Sequence, residues 1–565
     1  MGIITRMSLD SVLQKWRKDP GTSGNFSAWE SFPARAADLQ PIPTDLPDLL
    51  RYMLEKKGIS SIYSHQVEAW SHARLGENIV LATGTASGKT LAYTLPILGT
   101  LLSQPDARAL LLFPTKALAQ DQFSSLVSFQ ASLTHVNTAI YDGDTPPSHR
   151  KAIRENTRIL LSNPDMVHTG ILPHHTNWAD FFSNLKYIVI DEMHTYRGVF
   201  GSHVANVLRR LNRVAAFYGA HPQYLLTSAT IGNPAELAEK LIGAPVHLVD
   251  RDGSSRGPRY FLFYNPPVVD ESIGLRKSAT LEAVRLSMDL LQENLQHVVF
   301  TRTRRGVEIL LKFIQEAASA DGVAHGPAEI RGYRSGYLPT QRRTIEQGLR
   351  QGSVRLVVAT NALELGIDIG GLEAALMVGY PGTIASTRQQ AGRAGRGSEP
   401  AAAILVASAN PIDQFLAHHP EYFFGRSPEM ALIAPDHLLI LLNHLRCAMF
   451  ELPFQQGETF GGQSVDDYLD FLVENRESHL SNERYYWMAD SYPAANISLR
   501  SASPGAFVLQ AEEGETSGAR TVGVVDGESA LWMVHPGAVY LHEGQPWLVA
   551  SLDLEKKIAR LQPFD

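Results

Sequence analysis

Cysteine is almost absent from the 565 residues: Cys447 stands alone. No disulfide and no cysteine-built zinc site can therefore form within the chain. One thiol suits a reducing compartment, and its plain reading is a small buried hydrophobe. Long apolar runs are missing too, and nothing approaches the ~18 consecutive apolar residues of a membrane span. The opening "MGIITRMSLDSV" has an apolar stretch too short for a signal-peptide core. Arg6 stands where an N-myristoylation motif requires Ser or Thr. No membrane partner is expected, and the expected location is the cytoplasm, the cytosol or nucleoid of a bacterium. Positive charge is also scarce, since 50 Lys and Arg against 58 Asp and Glu leave a formal net charge of −8. That balance disfavours a polyanionic partner over the whole surface, although one groove lined by Arg and Lys can still grip nucleic acid on an acidic protein. No repeat of fixed period is evident.

What is present is ordinary globular material, 44% hydrophobic and 19% charged, enough for three or four domains at ~150 residues each. Between about residues 78 and 410, short runs rich in Val, Ile and Leu alternate with longer helical patterns: "NIVLA" 78–82, "ALLLF" 109–113, "RILLS" 158–162, "YIVI" 187–190, "QYLLTS" 223–228, "HVVFT" 297–301, "RLVVAT" 355–360 and "AAILVAS" 402–408. Nearly continuous apolar runs indicate strands buried on both faces of parallel sheets, with helices as crossovers. The fold class is α/β, with two sheets. Residues 1–58 form an N-terminal extension, irregular until a helix near 46–57. Residues 59–250 and 273–410 form two lobes, joined by the Gly-, Ser- and Pro-rich linker 251–272. Residues 411–565 form a smaller mixed α+β accessory domain, winged-helix-like in one reading, with an apolar helix at 435–450.

The stretch "NIVLATGTASGKTLAYTLPIL" 78–98 reads as strand, loop, helix. In a phosphate-binding loop, backbone N–H groups of Thr85, Ala86, Ser87 and Gly88 and the helix N-terminus surround the phosphates. Lys89 reaches the β and γ oxygens, and the Thr90 hydroxyl ligates Mg²⁺. Thr83 departs from the pattern, which asks for Gly there. The run "YIVIDEMH" ends a second strand in Asp191 and Glu192, where one carboxylate can serve Mg²⁺ and its neighbour can polarise water.

In this order the motifs resemble those of the superfamily 2 helicases of the DEAD/DEAH type: "YSHQ" 63–66, "TASGKT" 85–90, "PTKALAQDQ" 114–122, "SNPDM" 162–166, "DEMH" 191–194, "SAT" 228–230, "VVFTRTRRGVE" 298–308, "ATNALELGIDIG" 359–370 and "QQAGRAGR" 389–396. The resemblance covers residues 60–400 and implies two RecA-like lobes that use ATP and Mg²⁺. It implies that Gln66 reads the adenine edge, Asp191 ligates Mg²⁺ through water and Glu192 is the general base. Arg393 and Arg396 become arginine fingers, with Gln389 placing water and Asp368 near the ribose. Nucleic-acid contacts fall to Thr115, Lys116, Asn163 and Asp165 in the first lobe and Thr301, Arg302, Thr360 and Asn361 in the second. His194, Ser228 and Thr230 become the coupling residues between nucleotide and strand.

Among these helicases, "SIYSHQVEAW", "DEMHTYRGVFGSHV" and "YRSGYLPTQRRTIEQGLRQG" are most similar to the MrfA-type DNA-repair helicases and their fungal RecQ-four-like relatives. That group continues into a domain with four zinc-binding cysteines. This chain reaches Asp565 with one cysteine, so nothing of that domain carries over. The resemblance implies a monomeric ATP-driven DNA helicase, acting 3′ to 5′ on single-stranded or tailed duplex DNA in damage repair. An RNA helicase, a duplex-DNA translocase that does not unwind, and a nucleotide-gated clamp without turnover stay open as alternatives. The segment "YRGVFGSHVANVLRRLNR" 196–213, with Arg209 and Arg210, reads as a helix with a solvated basic face or as a basic face near the strand path.

Overall fold

The computed structural model describes residues 9–129, 133, 136–320, 329–364, 370–395, 399–490, 492–500, 506–511, 520–542 and 545–564. The chain divides into two compact units, each assembled from separated segments. One joins Ala37–Ser254 to Glu429–Ala502, and the other joins Met1–Ala36, Ser255–Pro428 and Ser503–Asp565.

The first unit is built on a seven-stranded parallel sheet, in the order His247–Val249, Ile79–Ala82, Gln223–Ser228, Leu185–Ile190, Arg108–Leu112, Ile159–Ser162, Thr138–Ile140. Successive side chains leave a strand on opposite faces. Leu81, Leu111, Val189 and Leu225 therefore pack with Trp70, Leu95 and Leu98 on one face. Val80, Leu110, Ile188 and Leu226 pack with Val204, Leu208 and Leu237 on the other. This double burial is why these strands read as unbroken apolar runs. The register aligns Ala82 with Ser228 and Leu226 with Ile190, so the loops that follow these three strands leave the sheet along one edge.

Residues beyond Glu429 add a small domain to this unit. The helices Leu438–Glu451 and Asp466–Glu474 and the hairpin Ser478–Ser481 with Arg484–Trp487 enclose a core of Leu445, Met449, Phe454, Leu469 and Tyr485. It packs on the helix Gly198–Phe217 and overturns the expectation of a solvated basic face there. Arg210 is fully buried in an ion pair with Glu451. Arg209 meets Asp436 at 2.7 Å, and Arg213 donates to the carbonyls of Ala448 and Leu452 at 3.0 and 2.9 Å. A guanidinium that caps the carbonyls of a neighbouring helix leaves the same sequence signature as one facing water.

The second unit holds another seven-stranded sheet, ordered Phe26–Phe32, Arg259–Tyr264, Ala401–Val406, Ala374–Val378, His297–Thr301, Leu356–Ala359, Ile330–Tyr333. All neighbours are parallel except the first strand, which runs antiparallel to Arg259–Tyr264. Two expectations fail here. The N-terminal extension is not irregular up to its helix near 46–57, because it holds the helix Leu9–Lys18 and the strand Phe26–Phe32, which closes the edge of this second sheet. Its helix Leu9–Lys18 also buries Leu9, Val12, Leu13 and Trp16 against Leu286 and Leu290, the spacing of one helical face. The supposed linker 251–272 contains the strand Arg259–Tyr264, an internal member of that sheet.

The single accessory domain is likewise corrected. Residues 411–428 stay with the second unit, and residues 429–502 join the first. In the second unit, strands Ala506–Ala511, Arg520–Asp526, Val539–His542, Gln545–Asp553 and Ile558–Pro563 form a five-stranded sheet with its own core of Leu509, Val525, Trp547, Val549 and Leu561. Buried Arg334 joins this sheet to the lobe. It pairs with Glu308 at 2.6 Å and donates to the Tyr540 hydroxyl at 3.1 Å and the Leu541 carbonyl at 3.0 Å.

Candidate nucleotide-binding site

The strand Ile79–Ala82 feeds a loop that turns into the helix Lys89–Ser103. Gly88, with φ +80°, makes the turn, and a Cβ there would stand 2.7 Å from Gln66 Nε2. Thr83 is tolerated in place of Gly because it is buried and its hydroxyl bonds the Ser87 hydroxyl at 2.7 Å. The Lys89 ammonium donates to the carbonyls of Thr83 (3.0 Å), Gly84 (3.2 Å) and Ser228 (3.1 Å), tying the loop to the end of a neighbouring strand. The Thr90 hydroxyl donates to Gln122 Oε1 at 3.1 Å.

Asp191 and Glu192 follow the strand Leu185–Ile190, both buried. The Thr227 hydroxyl donates to Asp191 and accepts from the Glu192 N–H at 3.2 Å. Glu192 is held at φ +50°, a left-handed conformation that costs a non-glycine residue on the order of 1–3 kcal/mol and marks functional positions. Burial first, then the charge of Glu192, pushes the Asp191 carboxyl well above its usual range. Two adjacent buried carboxylates beside the Thr227 hydroxyl are a hard-oxygen donor set that Mg²⁺ would neutralise, so the acidic pair fits that ion. His194 Nδ1 lies 3.4 Å from Glu192 and accepts from the Ala229 N–H at 3.1 Å. Ser228 is buried and Thr230 exposed. Phosphate loop, acidic pair and "SAT" segment are thus brought together on one sheet edge, the crevice where open α/β sheets bind ligands.

Gln66, expected at the adenine edge, lies against the phosphate loop. Its Oε1 accepts from the Tyr63 N–H at 3.0 Å and its Nε2 donates to the Gly88 carbonyl at 2.9 Å, so the amide braces the loop. In the second unit, Gln389 and Arg393 are buried, and the Arg393 guanidinium donates to the Glu364 carbonyl. Glu364, given no role from sequence, organises this segment by accepting from Ser386 at 2.7 Å and Gln390 at 2.9 Å. The signal for it lay inside "ATNALELGIDIG". Asp368 and Arg396 lie outside the described residues.

The expected nucleic-acid contacts fall into two groups. Several serve local structure: Thr115 Oγ1 accepts from the Leu118 N–H, Asn163 Oδ1 from the Met166 N–H, and Thr360 Oγ1 from the Ala362 N–H. Lys116 pairs with Asp144 at 2.7 Å and Asp165 with Arg500 at 2.8 Å. Thr301 is half-buried, whereas Arg302 and Asn361 are exposed. Arg500, which sequence reasoning missed, also donates to the Pro114 carbonyl and lies 4.5 Å over the Phe200 ring.

Two parallel-sheet lobes, the first with a phosphate loop and an acidic strand end and the second with a buried glutamine and arginine, define a two-lobed RecA-like nucleotide hydrolase. The chain belongs to the DEAD/DEAH-box helicases and is an ATP-dependent helicase of that family. Residues 63–237 match the DEAD/DEAH box helicase model, 279–398 the helicase conserved C-terminal domain, and 433–502 the winged helix domain of the ATP-dependent helicase HRQ1. The protein is 48% identical to the uncharacterized ATP-dependent helicase YprA of Bacillus subtilis, over 96% of this chain and 72% of that one. It is 34% identical to the ATP-dependent helicase HRQ1 of Saccharomyces cerevisiae, over 99% of this chain but 52% of the relative. It is also similar to the crystal structure of the DUF1998 helicase MrfA bound to DNA and AMPPNP, with TM-score 0.94 and 47% identity, over 99% of this chain and 77% of that one. The small domain on the first lobe is therefore the winged helix expected as one form of the accessory region.

Proposed function

We propose that the protein is an ATP-driven DNA helicase that moves 3′ to 5′ along single-stranded DNA and unwinds duplex in DNA damage repair. The observation that carries this reading is the joint placement of Lys89, Asp191, Glu192 and His194 on one sheet edge, in a lobe that also bears the winged helix. Likeness to MrfA in its DNA-bound form supports DNA as the polymer. A nucleotide-gated clamp would have no need of a buried, strained glutamate beside the metal-binding aspartate.

Lys89, leaving its present carbonyl partners, and the loop N–H groups bind the β and γ phosphates of ATP. Thr90 and Asp191 would hold Mg²⁺, which would supply charge neutralisation at the phosphates. Glu192 accepts the proton of the attacking water. Gln389 orients that water, and Arg393 and Arg396, carried by the second lobe, stabilise the charge of the transition state. Such fingers are commonly worth ~10³–10⁵ in rate. His194 and Ser228 pass the state of the γ-phosphate to Thr230 and the strand-binding loops. Thr115, Lys116, Asn163, Thr301, Arg302, Thr360 and Asn361 grip phosphates without reading sequence.

The decisive measurement compares ATP hydrolysis and unwinding on 3′-tailed, 5′-tailed and blunt DNA and on RNA duplexes, with Lys89→Ala as the control. Hydrolysis stimulated by DNA and unwinding from the 3′ tail alone are expected. Equal unwinding from a 5′ tail would overturn the polarity, and preferential unwinding of RNA would overturn the substrate.

A further inference from the structure

We propose that Glu68, His72 and His247 form a binding site for one divalent transition-metal ion of the zinc class on the first lobe, apart from the ATP site. Glu68 and His72 are four residues apart on the helix Ser64–Arg74 and so share a face. His247 opens the edge strand of the sheet, opposite Ile79 in register. One ligand atom can be taken from each residue so that all three lie within 4.8 Å of one another. His247 Nε2 is already 3.2 Å from Glu68 Oε1. Two ligands of a tetrahedral zinc ion, each about 2.1 Å from the metal, lie roughly 3.4 Å apart. That pair has the required separation, and His72 completes the set by turning its ring toward it.

One neighbour of the trio is placed to support a metal-bound imidazole. His72 Nδ1 is bonded to Glu77 Oε2 at 2.6 Å, which leaves Nε2 as its ligand atom. A carboxylate behind a histidine in this way is the usual support of a metal-bound imidazole. The His72 and His247 rings are stacked, 3.4 Å apart and 15° from parallel, so the rings must turn out of the stack for their in-plane lone pairs to converge on one ion. The side chains are 27%, 31% and 37% exposed for His72, His247 and Glu68, so an ion can enter from solvent. Two imidazoles and one carboxylate select zinc, cobalt or nickel over Mg²⁺ or Ca²⁺, which prefer oxygen, and leave one position for water.

Bound metal would staple this helix to the edge strand. The first turn of the same helix carries His65, on the face of Glu68 and His72, and Gln66, which bond the Ser87 and Gly88 carbonyls at 3.0 and 2.9 Å. The ion would therefore act as a positioning element for the phosphate loop, and its binding is measurable without turnover.

The test titrates the full chain with ZnCl₂ by calorimetry and with CoCl₂ by visible absorption, beside His72→Ala, His247→Ala, their double variant and Glu77→Gln. One zinc per wild-type chain is expected, with Kd weakened at least about tenfold in each single histidine variant. Glu77→Gln keeps all three ligands and should weaken zinc by about 10–100-fold through loss of ring orientation. Cobalt should give tetrahedral d–d bands in the wild type and none in the double variant. If the wild type and the double variant titrate alike, whether both bind or neither does, the proposal is overturned. Circular dichroism of the variants separates a lost ligand from a lost fold.

Discussion

At the scale of single residues, Glu192 is held under the closest constraint. Its left-handed backbone and buried carboxylate are maintained by Thr227 and by the strand beneath it. Replacing it with Gln preserves shape and hydrogen bonding but removes the base. Glu192→Gln should lower kcat for ATP hydrolysis by about 10²–10⁴-fold with ATP affinity nearly unchanged, read by steady-state kinetics and equilibrium nucleotide binding. Normal turnover would remove the base assignment. Gly88 is the complementary case, because its φ of +80° and the 2.7 Å approach to Gln66 leave no room for a methyl group. Gly88→Ala should cost about 1–2 kcal/mol in denaturant unfolding and weaken ATP binding by displacing the Gln66 amide. The placement of Lys89 and Asp191 after strands of the same sheet was legible in sequence because a short motif fixes both type and order. Arg210 and Asp165 were not, since their partners Glu451 and Arg500 stand 241 and 335 positions away.

At the scale of elements, the junction between the helices Gly198–Phe217 and Leu438–Glu451 has a built-in acid sensitivity. Arg210 and Glu451 sit among His168, His203, His175 and His444, with Cys447 on the same helix as Glu451. His203 Nδ1 lies 3.0 Å from His444 Nε2, and Arg210 contacts His168 at 2.6 Å. Burial, then the Arg210 charge, lowers His168 to about 2 and His444 well below its ordinary value. Both are neutral when folded, whereas the unfolded chain takes up protons below about 6.5. Their stabilisation is complete above that pH and declines as pH falls toward the folded values. Two such groups remove about 3 kcal/mol by pH 5.5. Thermal melts and hydrogen exchange in 198–217 and 438–451 should show the loss between pH 7.5 and 5.5, and His444→Gln should roughly halve it. An unchanged profile in that variant would assign the sensitivity elsewhere. Elements themselves were legible where physics writes them plainly. All eight apolar runs became strands, and the helix expected at 435–450 occupies Leu438–Glu451. Phe26–Phe32, "FSAWESF", escaped notice because an edge strand with one antiparallel partner keeps polar residues. Arg259–Tyr264 escaped because Gly and Pro just before it masked an internal strand as a linker.

At the scale of the whole molecule, chain order and spatial membership part company. The chain passes between the two units at 36/37, 254/255, 428/429 and 502/503, so each lobe carries its own appendage: the winged helix on the first and the five-stranded sheet on the second. Hydrophobic periodicity reports that a face is buried and is silent about what buries it, which is why both lobes were readable and the ownership of residues 1–36 and 429–502 was not. The N-terminal segment provides the sharpest test of that ownership. Leu9, Val12, Leu13 and Trp16 are packed in the second lobe's core, Trp16 Nε1 donates to Asp289 at 2.8 Å, and Phe26–Phe32 seals the sheet edge at Arg259–Tyr264. Each fully buried apolar side chain is worth roughly 1.5–3 kcal/mol before the entropy of ordering the helix is subtracted. Deleting residues 1–36 should therefore lower the melting temperature of the second lobe by roughly 5–15 °C. Hydrogen exchange should show protection lost in 259–264 and 283–291, while the phosphate-loop strand Ile79–Ala82, nearer in sequence to the cut, keeps its own. Loss of protection first at 79–82 would mean that the N-terminal segment supports the lobe it precedes, and that the ownership read from its packing is wrong.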